Sequence, residues 1–358
     1  MSLDSKFMNE AIRLARRGIG QVSPNPCVGA IVVRDGDVVG RGWYEGPGAP
    51  HAEIVAIDEA GADSAGSTVY VSLEPCTHHG NTSPCVDALI DAGVARVVVA
   101  IEDPDQRVDG RGIKSLRGSG IDVAVGVGGE QAAGVNREYL VHRKLGRPFV
   151  ICKVAASMDG RVAAADGNSR WITSEASRLD VHRLRSRVDA VCVGVGTVVA
   201  DDPMLTVRDV PSGRQPLRVV VDSSGRTPEG SKVLSDDAET LIVTTKSLPP
   251  PLGPRSIFVD SSDGRVDLPS MLSELASRDV VSLLVEGGPT LLGSFVREDL
   301  VDRFIFYLAP KLLGDAGLAL LAGWAASTID ASFDLDIESV RKIGDDICVV
   351  AQPALRRT

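Results

Sequence analysis

Short apolar runs of strand length return throughout this chain, and most are followed by a segment with helical spacing or by a turn. Residues 28–33, 68–73, 94–101 and 121–127 read as strands in the first part. Residues 149–156, 190–195, 217–221, 240–244, 256–259, 280–285, 304–308 and 347–351 do so in the second. Such alternation leaves little choice but sheets covered by helices, an α/β protein.

The segments between the runs sharpen this reading. A helix over 5–17 comes first, and Asp35-Gly36 after the first run is a strong hairpin signal. Pro50 opens a helical stretch over 51–60 that Gly61 closes. Ser83-Pro84 reads as N-cap and first helical residue of a segment over 85–91 closed by Gly93, and further helices are expected near 112–118 and 130–144. Helix, hairpin, then alternating α and β predicts a mixed sheet with helices on both faces. The basic stretch Arg143-Lys144-Leu145-Gly146-Arg147-Pro148 ends in a Gly-x-Pro turn, after which the strand pattern restarts. It marks a boundary between domains at 1–145 and 148–358, in keeping with 358 residues at roughly 150 per domain. No repeat of 20 to 50 residues is visible, and Leu248-Pro249-Pro250-Pro251-Leu252-Gly253-Pro254 reads as a stiff surface connection.

Several function classes recede at once. Lys+Arg 38 against Asp+Glu 48 leaves a net charge of −10, which works against a nucleic-acid partner. No apolar run reaches the ~18 residues a membrane span needs, and the first 17 residues lack a signal peptide's apolar block. The six cysteines are dispersed, which argues against a disulfide framework. A cytoplasmic protein with reduced thiols is expected.

Three fragments carry chemistry together: His51-Ala52-Glu53, Pro75-Cys76 and Cys85. Each falls at the start of a predicted helix or the end of a predicted strand, so an imidazole, a carboxylate and two sulfurs can converge. Thiolates near helix N-termini have lowered pKa values and ligate zinc well. One His and two Cys leave a fourth tetrahedral position for water, whose pKa zinc can bring to about 7. Glu53, two residues from the ligating His51, is placed to move a proton from that water to a leaving amine. The reaction class is hydrolytic deamination of an amidine-like ring carbon. A structural zinc site closed by His78 or His79 is the plainer alternative, and it would leave Glu53 without a task.

Two strand exits in the second half carry glycines, Gly194-Val195-Gly196-Thr197 and Glu286-Gly287-Gly288-Pro289-Thr290-Leu291. Glycines there let a backbone approach a phosphate at a helix N-terminus. Neither is a dinucleotide fingerprint, so pattern alone leaves a nucleotide site and ordinary tight turns equally open. Lys153 interrupts an apolar strand, either to act on substrate or to snorkel to the sheet edge.

Eight residues separate the two cysteines, where the generic deaminase signature has two. With this longer loop, Ser23-Pro24-Asn25-Pro26-Cys27-Val28-Gly29 and His51-Ala52-Glu53, the chain resembles the bifunctional riboflavin-biosynthesis deaminase/reductases over essentially its whole length. The resemblance extends to Lys153-x3-Ser157-x-Asp159-Gly160-Arg161, Trp171-Ile172-Thr173-Ser174, Asp201-Asp202-Pro203-x-Leu205-Thr206-Val207-Arg208 and Glu286-x-Gly288-Pro289-Thr290-Leu291. It implies a cytidine-deaminase-like α/β/α domain with a mixed sheet, followed by a dihydrofolate-reductase-like α/β domain that uses NADPH. By that resemblance His51, Cys76 and Cys85 hold zinc, Glu53 shuttles the proton, and Asn25 meets the pyrimidine. Ala155, Trp171, Thr197, Asp201, Ser223, Gly288, Pro289, Thr290, Leu291, Leu292, Gly293 and Ser294 would hold NADPH. Lys153, Ser169, Arg185, Leu205, Arg208 and Glu286 would hold the substrate, two guanidiniums suiting a sugar phosphate.

The implied reactions are deamination of 2,5-diamino-6-ribosylamino-4(3H)-pyrimidinone 5′-phosphate, then reduction of the ribosyl chain of 5-amino-6-ribosylaminouracil 5′-phosphate to ribityl. Small pyrimidine ribose phosphates are the implied partners, with neither nucleic acid nor membrane, and a dimer or larger assembly is expected. Asn81 stands where the family often has Arg, and Asp103-Pro104-Asp105-Gln106 replaces a commoner Asp-Pro-Asn-Pro; both touch peripheral substrate contacts. The rival reading is a zinc-dependent nucleic-acid base deaminase with a nonenzymatic second domain. It would want a basic, aromatic-bearing channel, whereas this chain is acidic and 4% aromatic.

Overall fold

The computed structural model describes residues 2–77, 84–245 and 255–354, so His78, His79, Asn81, Ser83 and the 248–254 loop lie outside the described residues. The chain divides into two compact units, Met1–Gly146 and Arg147–Thr358.

In the first unit α1 (Leu3–Ala15) precedes a hairpin of β1 (Gly29–Arg34) and β2 (Asp37–Trp43). Then follow α2 (Ala52–Ala60), β3 (Thr68–Val71), α3 (Cys85–Asp91), β4 (Arg96–Val99), α4 (Arg111–Gly118), β5 (Asp122–Val125), α5 (Gly129–Val135) and α6 (Arg137–Leu145). Among the described residues the sheet has five strands in the order β2-β1-β3-β4-β5. β1 pairs antiparallel with β2 and β3, and β3, β4 and β5 run parallel, so the sheet is mixed. The period-2 alternation explains its two covers. Ile31, Val33, Tyr70 and Val98 pack with residues of α1 and α5, while Ala30, Val32, Val69, Val71, Val97 and Val99 pack with residues of α2, α3 and α4.

Two expectations need adjusting. Pro84 is the extended N-cap of α3 rather than its first helical residue. The predicted helix over 130–144 is two helices, because Asn136 turns its amide to a tertiary partner at their junction. Glycine controls how closely α2 approaches the sheet: a Cβ on Gly40 or Gly42 would stand 2.1 or 2.0 Å from the carbonyl oxygens of Ala56 and Ala52. That contact seats the helix whose first turn carries Glu53.

The second unit contains β6 (Phe149–Ser157), β7 (Arg161–Ala163), α7 (Glu175–Arg185), β8 (Ala190–Gly194), α8 (Val195–Asp201), β9 (Leu217–Val221) and β10 (Thr240–Thr245). It continues with β11 (Ser256–Val259), β12 (Ser261–Ser262), β13 (Arg265–Val266), α9 (Leu268–Ser277), β14 (Ser282–Val285), α10 (Pro289–Arg297), β15 (Arg303–Ala309), β16 (Leu318–Ala319), β17 (Leu335–Ile343) and β18 (Asp346–Pro353). Its main sheet has nine strands among the described residues, in the order β11-β10-β9-β8-β14-β6-β15-β18-β17. The strands from β11 to β15 run parallel, and β18 and β17 add antiparallel. β17 escaped the sequence reading because eight of its nine residues are exposed and a register shift between Ile337 and Ser339 interrupts the period-2 alternation of Leu335, Ile337 and Val340. Alternate residues of β6 (Val150, Cys152, Val154, Ala156) bury against α9 and α10, forming this unit's core.

Candidate active sites

In the first unit the donor atoms of His51, Cys76 and Cys85 all lie within 4.8 Å of one another. His51 is the N-cap of α2, Cys85 opens α3, and Cys76 ends the segment that leaves β3. His51 Nδ1 stands 3.1 Å from Cys85 Sγ and 3.5 Å from Cys76 Sγ, and the Cys85 backbone N–H donates to Cys76 Sγ at 3.4 Å. The Cys85 S–H bond, then His51, hold the Cys76 thiol down at about 4, while that same bond, then burial, push the Cys85 thiol up. Bonding to Cys76 raises His51, against its burial. One borderline nitrogen and two sulfurs, one readily ionised, form a donor set that suits zinc.

Glu53 is 3% exposed in the first turn of α2, and burial pushes its carboxyl up to about 7, with the Cys76 charge adding to the rise. A carboxyl poised near neutrality both takes and gives a proton. Asn25 is exposed and donates to the Tyr44 hydroxyl at 2.9 Å, and the Tyr44 ring stands edge-on to His51 at 5.6 Å. Asn25 is thereby brought to the zinc cluster through one aromatic ring.

Two supports of this site went unread in the sequence. Asn136 accepts the Cys27 N–H at 2.8 Å and donates to the Cys27 carbonyl at 2.9 Å, pinning the turn that presents Asn25. Glu74, 4% exposed, accepts backbone N–H groups of Asp103, Gly110 and Ile113 and ties the segment before Cys76 to the 103–113 loop. No local signal marks Glu74, because its three partners lie 29, 36 and 39 positions away. Asp105, at a family departure, is paired by Arg107 at 2.7 Å and by Arg143 at 3.6 Å.

The second unit holds a cleft of about 1220 Å³. Lys153, Ala155, Ser169, Trp171, Thr197 and Asp201 line it, as do Arg185, Arg208, Glu286 and the run Gly288, Pro289, Thr290, Leu291 and Leu292. Leu205, Ser223, Gly293 and Ser294 do not line it. Leu205 is buried at a left-handed position (φ 56°), and Ser223 accepts the Val266 N–H at 2.9 Å. Gly293 faces the Ala322 carbonyl so closely that a Cβ would stand 2.0 Å from it, and Ser294 donates to the Thr290 carbonyl at 3.1 Å.

Three charges converge in that cleft. Glu286 Oε1 accepts from Arg185 Nε at 2.6 Å, and Oε2 accepts from Arg185 at 3.1 Å and from Lys153 Nζ at 3.0 Å. Burial alone would raise the Glu286 carboxyl, but Arg185 and then Lys153 hold it well below the usual range. The Lys153 side chain therefore turns inward to an acid instead of snorkelling outward. The Gly288 N–H at the start of α10 donates to Thr197 Oγ1 at 3.1 Å, which joins the two glycine-bearing strand exits at one wall.

The fold and the two sites define a class: a cytidine-deaminase-like zinc hydrolase unit followed by a dihydrofolate-reductase-like unit. Residues 1–101 match the family described as the cytidine and deoxycytidylate deaminase zinc-binding region, and residues 148–349 match the RibD C-terminal domain. The chain is 40% identical to the riboflavin biosynthesis protein RibD of Aquifex aeolicus, over 97% of this chain and 98% of that one. Acinetobacter baumannii RibD superposes with a TM-score of 0.91 at 36% identity, covering 99% of each chain. A Thermotoga maritima structure titled diaminohydroxyphosphoribosylaminopyrimidine deaminase/5-amino-6-(5-phosphoribosylamino)uracil reductase does so with a TM-score of 0.86 at 35% identity, covering 98% of this chain and 99% of that one. This chain belongs to the RibD family of riboflavin biosynthesis proteins. It is a bifunctional enzyme, a zinc-dependent deaminase and an NADPH-dependent reductase, so its second half is enzymatic and the nucleic-acid rival falls. Among the described residues no helix is long and apolar enough to cross a membrane.

Proposed function

We propose that residues 1–145 deaminate 2,5-diamino-6-ribosylamino-4(3H)-pyrimidinone 5′-phosphate and residues 148–358 reduce the ribosyl chain of the resulting 5-amino-6-ribosylaminouracil 5′-phosphate. The observation that carries the first step is the convergence of His51, Cys76 and Cys85 beside buried Glu53. His51, Cys76 and Cys85 hold the zinc, which when bound supplies the acidification that lets water attack at neutral pH. Glu53 takes a proton as the C–O bond forms and delivers it to the nitrogen as the C–N bond breaks, so that ammonia leaves. Asn25, whose side-chain amide both donates and accepts, orients the ring. Its bond to Tyr44 supports that placement.

In the second step NADPH, when bound, supplies the hydride. Delivered to ribosyl C1′ of the ring-opened imine, with a proton to the attached nitrogen, that hydride would leave a CH2. Trp171, Thr197, Asp201, Ala155 and the 288–292 wall, all of which line the cleft, hold the cofactor, whereas Ser223, Gly293 and Ser294 lie outside that lining. Lys153, Arg185 and Glu286 form a pre-paired platform for ribose, with Ser169 in the same cleft lining, Leu205 shaping the loop, and Arg208 for the phosphate. The six free cysteines suit a cytoplasmic enzyme. A dimer or larger assembly is the expected state, and light scattering tests it.

The deciding experiment supplies the diaminopyrimidine phosphate to zinc-replete protein with and without NADPH and identifies products by mass. Without NADPH the aminouracil ribosyl phosphate accumulates; with NADPH the product is two hydrogens heavier. Substrate recovered unchanged in both arms overturns the reading.

A further inference from the structure

We infer that His182 recognises substrate in the reductase cleft, donating a hydrogen bond from Nε2 to the phosphate that Arg208 attracts. The inference rests on the proposal that this part of the cleft receives a sugar phosphate, and it adds a residue to that site.

α7 places Arg178, His182 and Arg185 at helical spacing, and all three line the cleft. Two of the three are committed elsewhere. Arg185 is locked to Glu286, and Arg178 donates to the Thr173 carbonyl at 2.9 Å while lying over the Trp171 ring at 4.4 Å. Arg208 differs from both: among the described residues its side chain meets only a neutral hydroxyl, Thr206 Oγ1 at 2.8 Å. Its charge is left for a ligand.

His182 is built onto that same residue. Its Nδ1 accepts the backbone N–H of Arg208 at 3.2 Å. A ring that accepts at Nδ1 carries its proton on Nε2 in the neutral form. Nε2 has no hydrogen-bond partner among the described residues. The charged groups around the ring are Arg185 on its own helix, Arg208 and Asp209 from the loop, and Glu286 from the end of β14. Burial, then the two guanidiniums, hold His182 below its ordinary value, so it offers a neutral N–H at pH 7. A guanidinium without an acid partner and an unused ring N–H, joined through one backbone bond, form a donor pair suited to a phosphate.

The plainer role for His182 is to brace the Arg208 loop, and the side chain's two nitrogens separate the roles. His182→Asn keeps an acceptor near Nδ1 and deletes the Nε2 donor; His182→Gln restores an amide donor near Nε2. NADPH oxidation by the full chain is followed with 5-amino-6-ribosylaminouracil 5′-phosphate and with its dephosphorylated form. The preference for the phosphorylated substrate, as a ratio of kcat/KM values, is expected to fall about tenfold or more in His182→Asn, carried by KM, and to recover in part in His182→Gln. An undiminished preference in His182→Asn overturns the inference while leaving the phosphate site standing. A wild-type enzyme with no preference at all overturns the phosphate site and the inference together. A second measurement needs no variant: the His182 Nε2–H resonance of the full chain is expected to shift on titration with inorganic phosphate. A resonance that stays put while phosphate competitively inhibits the reductase also overturns the inference.

Discussion

The two sites solve recognition on different scales. The zinc cluster is assembled from residues no more than 34 positions apart, and its donors sit at the ends of elements that the local pattern already marks. The charged platform of the cleft joins Arg185 of α7 to Glu286 across 101 positions, with Lys153 from β6. Zinc ligation demands particular atoms, two sulfurs and an imidazole, which few other roles combine. Ion pairs use residue types found over every surface, so their pairing becomes visible only in three dimensions.

The sharpest way to break this contrast is to remove one site and watch the other. Chelation of zinc, or Cys76→Ser, is expected to abolish ammonia release while leaving NADPH oxidation on the deaminated substrate intact; a parallel loss of both would show that the sites are not separable. Glu53→Gln should lower deamination roughly a thousandfold while metal analysis still finds zinc bound. Retained deamination at the normal rate would remove Glu53 from the mechanism. Because the Glu286 side chain is 5% exposed and balances two half-buried cations, Glu286→Gln is expected to destabilise the second unit. The cost, about 3 kcal/mol, should be seen by calorimetry in one transition of the full chain together with a raised KM in the reductase assay.

Smaller effects sharpen the comparison within the first unit. Asn136→Ala removes both bonds to the Cys27 backbone and should cost roughly 2 kcal/mol, with a raised KM for the deaminase substrate because Asn25 loses its fixed turn. An unchanged KM would uncouple Asn136 from recognition. The smallest change concerns acid. The Arg107 guanidinium holds the Asp105 carboxyl down at about 2, against an ordinary 3.8. A depressed carboxyl stabilises the fold fully above its unfolded value and loses that contribution as pH falls through the folded one. Asp105→Asn should therefore flatten the pH dependence of the first unit's stability between about pH 4 and pH 2, measured by acid unfolding.

Much of the fold was legible for one reason: β-branched runs bounded by Gly, Pro and Asp announce strands wherever a face is buried. The hairpin at Asp35-Gly36 and the strand over 217–221 follow that rule. β17 breaks it, since its face is exposed and a register shift between Ile337 and Ser339 interrupts the alternation of Leu335, Ile337 and Val340. The split at Asn136 breaks it too, because helical spacing continues on both sides of a residue whose side chain bonds 109 positions away. Among the site residues, His51, Cys76, Cys85 and Glu53 were readable from type and spacing. The cleft residues were placed by family resemblance, and His182 and Asn136 came from neither.

By itself the sequence determined which atoms could meet a metal and where the chain must bend, because donor chemistry and local propensity belong to individual residues and their near neighbours. Tertiary structure decided which charges share a buried carboxylate, which amide pins the Asn25 turn, and which nitrogen of His182 is left unused. Those outcomes depend on how whole strands and helices pack, and hydrogen bonds between distant segments exist only once packing has brought them together.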